Sequence, residues 1–155
     1  MCKARDIAIS MVNRSVDLSE GSGLNYYMDF VKLHKLLYLG QCYMFSTYKK
    51  PLFEDKIYAH HCGPYVDNIH FIPAYYGYAP ITEHISSENL SRLSMFRIDA
   101  IETILQRYGT KSTDELIALT KSTDPYKKVE AEVSDDNKAE ITIESISEYK
   151  LPSPE

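Results

Sequence analysis

Residues 30–44 constrain this chain more than any other stretch. Phe30, Leu33, Leu36, Leu37, Gly40 and Met44 recur at helical spacing and share one face, with Asp29 ahead of them as an N-cap. The opposite face is not polar: Val31, Tyr38, Leu39 and Cys42 lie there, with Lys35 among them. A helix that is apolar nearly all round belongs at the centre of a domain, or else leaves one side exposed as a docking surface. The rest of the 155 residues must wrap this helix, which runs over about 29–46. That length suits one domain able to bury its own core.

The flanking sequence predicts further helices. Ala4, Ile7, Ala8, Met11 and Val16 mark an amphipathic helix over 3–16, broken by Ser19-Glu-Gly-Ser-Gly23. Residues 48–56 read as a polar loop and Ile57–His61 as a short extended segment. Pro64 suits the first turn of a helix carrying Val66, Ile69 and Tyr76, with Pro73 expected to kink or end it. After a loop over 77–87, Ser94 caps a helix through Ile98, Ile101, Ile104, Leu105 and Tyr108, stopped by Gly109. Ser112-Thr-Asp-Glu115 is a capping box for a short helix through Thr120, ended by Asp124-Pro125. Residues 129–143 alternate like strand, and Thr142 caps a last helix to about Tyr149. The expected fold is mainly α: five or six helices packed around the central one, with a small β-hairpin or short sheet. One domain spans 1–149, and 150–155 form a frayed tail.

Charge and cysteines narrow the function classes. The net charge is −5, and it is unevenly spread. Residues 1–129 carry 15 basic and 14 acidic side chains, residues 130–155 only 2 basic against 8 acidic. A near-neutral body with an acidic end lacks the basic stripe of a nucleic-acid binder. The acidic end is either a solvated segment or an electrostatic contact for a basic partner. No apolar run reaches the roughly 20 residues of a membrane span, and the first residues hold no signal-peptide pattern. Three cysteines, Cys2, Cys42 and Cys62, suggest reduced thiols in a cytoplasm.

Candidate chemistry is sparse. His60-His61-Cys62 with His70 has metal-like residue types, but adjacent side chains on an extended strand point to opposite sides, a poor arrangement for one ion. Cys62 has no indicated orienting carboxylate for a thiol nucleophile. Gly21 and Gly23 lack the G-K-[ST] element of a phosphate loop. The carboxylate pairs Glu54-Asp55 and Asp135-Asp136 sit in hydrophilic loops. No catalytic residue, cofactor or metal is expected. Tyrosine is abundant (13, against 5 Phe and no Trp), and Tyr26-Tyr27, Tyr75-Tyr76 and Tyr78 lie beside loops, as interface anchors or as half-buried core edges.

Four motifs in order carry a resemblance: Lys32-Leu-His-Lys-Leu-Leu-Tyr-Leu-Gly-Gln41, Ala59-His-His-Cys-Gly-Pro64, Tyr108-Gly-Thr-Lys-Ser112, and Thr120 followed by Asp124-Pro125-Tyr126. Together, from about residue 3 to 149, they resemble the Panacea antitoxin domain, a phage-associated family with a K-L-Q-K-L-L-Y-Y-A-Q helix, an A-x-x-x-G-P-V turn, a Y-G-x-x-S element and T-H-x-x-x-P-W. A final helix opening on Ile-Thr, as at Ile141-Thr142, also fits. His34 stands in place of the usual Gln, Leu39 of the second Tyr and Gly40 of the Ala. Lys121 and Tyr126 replace the His and Trp of the last motif.

The resemblance implies a non-enzymatic cytoplasmic antitoxin that neutralises a protein toxin encoded beside it by direct stoichiometric binding. The alternative is an adaptor that presents a bound protein to a protease or other machinery. Some members of the family carry an additional DNA-binding domain; no separate helix-turn-helix is evident in this sequence, so nucleic acid is not expected as a partner, and without an apolar span neither is a membrane. Lys35 on an apolar face must reach solvent, find a partner atom or face another protein, because a buried unpaired ammonium is costly. Tyr38 lies one turn further along the same side, and the Gly63-Pro64 turn could bring His61 and Tyr65 near. Lys35, Tyr38, His61 and Tyr65, supplemented by Tyr126, therefore form the candidate toxin-binding patch. The competing reading has these residues brace the turn against the central helix.

Overall fold

The central helix, α2, runs over Phe30–Tyr48, and every residue from Lys32 to Phe45 is buried. It starts where Asp29 accepts the Lys32 N–H at 2.7 Å through its carboxylate. The computed structural model describes residues 2–87, 90 and 92–153. Among them the chain forms α1 (Ala4–Ser22), α2, strands β1 (Ile57–His60) and β2 (Gly63–Val66), α3 (Phe71–Tyr76), α4 (Met95–Tyr108), α5 (Thr113–Lys121), α6 (Asp124–Lys127), β3 (Ala139–Ile141) and α7 (Ile143–Glu148). Helices α1, α4, α5 and α7 and strand β2 all pack on α2. The fold is mainly α with a small antiparallel sheet in the order β2-β1-β3.

Apolar periodicity and caps account for most of this. Ser94, Ser112 and Thr142 each accept an N–H three residues on, and Ser112 with Glu115 closes a complete capping box. Gly40 lets α4 and the 49–56 loop approach α2, since a Cβ there would lie 2.8 Å from Leu52 Cδ2. That loop is less polar in place than in sequence. Leu52 and Phe53 are buried, and Gln41 ties them down by donating to the Phe53 carbonyl at 3.0 Å and accepting the Leu52 N–H at 2.6 Å.

Several local expectations are corrected. Helix α1 does not stop at 16: Ser19-Glu-Gly-Ser stays helical, and the break comes at Gly23, whose φ of 75° makes the left-handed C-cap. Pro64 opens no helix. It lies in β2, paired with Ala59, at a sheet edge where proline's missing donor is tolerated. Pro73 sits in the first turn of a much shorter helix, so it starts α3 and does not kink it. Pro125 likewise opens α6. Residues 129–143 hold a 3-10 turn at Glu130–Glu132 before β3, so only their last part is strand. The chain end is anchored further than expected: Leu151 is buried and its N–H donates to Ser46 Oγ at 3.0 Å. Residues 154–155 of the expected tail lie outside the described residues.

Candidate functional site: a hairpin clasped by the central helix

Strands β1 and β2 form a hairpin whose two-residue tip is His61-Cys62. Both tip residues are exposed, and His61 Nε2 lies 3.3 Å from Asp135. Gly63 follows at φ 99°, a conformation that favours glycine, and a Cβ there would meet Thr120 Oγ1 at 3.1 Å and Lys35 Cε at 3.2 Å. On its other side β2 has no strand neighbour. Side chains of α2 take that place. Lys35 Nζ donates to the Pro64 carbonyl at 2.9 Å, and the Val66 N–H donates to His34 Nδ1 at 2.9 Å. Pro64 brings no N–H to this edge, so a lysine, which only donates, and an imidazole nitrogen that accepts match the backbone groups presented.

The other polar residues of the α2 motif hold the remaining motifs in the same manner. Lys32 Nζ donates to the Gly109 carbonyl at 2.7 Å, stitching down the end of α4. Tyr38 and Thr123 share a hydroxyl–hydroxyl bond of 2.6 Å at the start of α6. Tyr126, on α6, returns to the hairpin and donates to the His60 carbonyl at 2.7 Å. The four sequence motifs are thus one set of contacts around one helix.

Burial decides the electrostatics. Desolvation, aided by the Lys35 charge and His70, pushes the His34 imidazole down to about 3, so it is neutral at ordinary pH. Desolvation also draws Lys35 down to about 8, against the opposing pull of Cys62 and Asp29. Burial raises the Tyr38 hydroxyl well above its usual range.

Of the five candidate contact residues, Lys35, Tyr38 and Tyr126 are 2%, 0% and 1% exposed. They brace the hairpin and α6 from inside and present no surface to a partner, because their polar atoms are spent on the backbone and on Thr123. His61 is exposed and Tyr65 half-buried. The tyrosines divide similarly: Tyr26 and Tyr27 are half-buried, while Tyr75, Tyr76 and Tyr78 are exposed.

A groove of about 450 Å³ opens where the hairpin meets the start of α2. Phe30, Val31, His34, His60, Tyr65 and His70 line it, with Cys62, Asp67, Lys35 and Lys138. Its rings are in mutual contact: His34 stands edge-on to Phe30 (4.4 Å between centroids) and to Tyr65 (6.0 Å), and His60 edge-on to Tyr65 (5.7 Å). Lys138 Nζ lies 4.1 Å from the Tyr58 ring, which neighbours Tyr65. His60, Cys62 and His70, a cluster by residue type in the sequence, meet Phe30, His34 and Tyr65 here because the hairpin register and its seat on α2 place them on one concavity. The sole hint in sequence is a run of aromatic and imidazole residues in two separated segments.

No curated protein and no solved structure matches the chain. The family model described as "Antitoxin SocA-like, Panacea domain" matches residues 33–127, well over half of it. That span runs from the body of α2 through the hairpin, α4 and α5 to the end of α6. It holds all four motifs except Lys32, and on that match the chain belongs to the SocA-like Panacea antitoxin-domain family.

Proposed function

We propose that this chain is an antitoxin that neutralises a cognate protein toxin by binding it directly and stoichiometrically, without catalysis. The observation that carries the reading is the family match over residues 33–127. The use of the motif side chains supports it: Lys32, His34, Lys35, Tyr38 and Gln41 are committed to backbone groups and to Thr123. They build a rigid frame and leave the outer face of the hairpin and the groove beside it for contact. A stable complex of this kind buries about 1,200–2,000 Å² in total.

The test is genetic and then physical. The neighbouring reading frame is expressed alone and with this chain: arrest in the first case and growth in the second is the expected result. Light scattering of the co-purified pair should give a fixed stoichiometry. Rescue by far less chain than toxin, or continued arrest with both proteins expressed and folded, would overturn the reading. An adaptor would differ in one respect, since its rescue would need an intact cellular protease.

A further inference from the structure

The groove at the head of α2 carries one fixed hydrogen-bond donor. Because Nδ1 of His34 accepts the Val66 N–H, the neutral ring must hold its proton on Nε2. His34 is only 5% exposed. Every fully buried side-chain nitrogen and oxygen among the described residues has a protein partner, and Nε2 has none, so it is the atom that reaches the groove. Phe30 and Tyr65 hold the ring from two sides. What lies opposite must accept a hydrogen bond, and the ring cannot rotate to offer an acceptor without orphaning the Val66 amide.

Charge then selects among acceptors. The lining holds two ammonium groups, Lys35 beneath and the exposed Lys138 on the rim. Against them stands one carboxylate, Asp67. The Phe30, Val31 and Tyr65 walls add apolar surface for a neighbouring side chain. The volume is in the range of built ligand pockets, too small for a helix and ample for two or three side chains.

We propose that the groove receives an acidic segment of the partner protein, one carboxylate oxygen accepting the His34 Nε2–H and an adjacent apolar side chain lying against Phe30 and Tyr65. This rests on the antitoxin reading only for the identity of the partner. Complementary charge across such a contact speeds encounter and fixes register.

Three synthetic hexapeptides test it: Gly-Leu-Asp-Glu-Phe-Gly, the same peptide with Asn-Gln in place of the two acids, and the same with Lys-Lys. Each is titrated to about 1 mM, a concentration that reveals even weak contacts, against the isotope-labelled full chain. The acidic peptide should move the His34 side-chain, Val66 and Tyr65 resonances and bind at least about tenfold more tightly than the amide peptide, with no shift from the lysine peptide. Lys138→Glu, on the exposed rim, should cost the acidic peptide about tenfold and leave the amide peptide unchanged. His34→Gln, which keeps both an acceptor and a donor, should retain binding. Equal affinity for all three peptides, shifts mapping elsewhere, no shift at all, or indifference to Lys138→Glu would each overturn the proposal. So would a dimer that Lys138→Glu dissolves, since a second copy would then be the occupant. Toxin rescue is scored separately: rescue without peptide binding refutes the groove and leaves the antitoxin reading standing, and peptide binding without rescue does the reverse.

Discussion

At the scale of single residues, His34 couples the hairpin to pH. Its folded-state value near 3 lies far below that of an ordinary histidine, because the ring is buried and Lys35 and His70 are close. The unfolded chain takes up a proton on His34 as pH falls through about 6.5, whereas the folded chain does not until about 3. Stability from this residue is therefore complete above pH 6.5 and lost on acidification between 6.5 and 3, by at most about 4–5 kcal/mol. Urea midpoints across that range should drop more steeply for the parent chain than for His34→Gln. Equal slopes would show that the ring is not held neutral by the fold. Gly63 is the second sensitive position. Gly63→Ala combines a φ of 99° with a Cβ crowded by Thr120 and Lys35, and should destabilise by about 1–3 kcal/mol. A loss under a few tenths in chemical denaturation would mean that the turn relaxes freely.

At the scale of elements, α2 is held at its start by one carboxylate serving two partners. Asp29 Oδ1 caps the Lys32 N–H, and Oδ2 accepts the Thr113 hydroxyl at 2.8 Å, so the N-termini of α2 and α5 share an anchor. Asp29→Ala should cost about 1–2 kcal/mol, the upper part of the capping range. Ser112→Ala, whose capping box is exposed, should cost about 1 kcal/mol or less. The reverse order in thermal melts would contradict this account. In the middle of the helix Leu37 is fully buried, and Leu37→Ala should cost about 2–5 kcal/mol. Helix α4 docks on α2 by a polar clasp as well as by packing: Tyr43 and Tyr48 both donate to Asp99, whose carboxyl is thereby held below its usual range.

At the scale of the whole molecule, α2 packs against more elements than any other segment does, so cooperativity should radiate from that helix. Native-state hydrogen exchange is expected to be slowest in the amides of 34–45 and fastest in α3 and the 77–87 loop. Comparable protection across all helices would refute a single hub. The acidic C-terminal segment belongs to this body. Strand β3 completes the sheet, α7 packs on α2, and Lys56–Glu140 and Lys128–Glu148 pair its charges with the neutral part of the chain. Leu151→Ala should accordingly lower stability by about 1–2 kcal/mol, the value of a modest buried area. No helix of the described residues is long and apolar enough to cross a membrane.

Much of this was legible in the order of residues alone. The all-round apolar surface of 30–44 required a buried central helix, and Asp29, Ser94, Ser112 and Thr142 marked four helix starts, because caps and periodicity act within a few residues of sequence. The four motifs named the family for the same reason: each is a short string with its own local chemistry. What the sequence could not decide was the direction in which Lys35, Tyr38 and Tyr126 spend their polar atoms. An ammonium on an apolar face can reach water, a partner protein or a backbone carbonyl, and the choice depends on Pro64, 29 residues away, arriving at the right height. Likewise Pro64 opens helices and lies on sheet edges with equal ease, and only the edge beside α2 settled which. The groove is a product of that seating. Phe30 and His34 come from the helix and His60 and Tyr65 from the hairpin, and no spacing within either segment records that the two would meet.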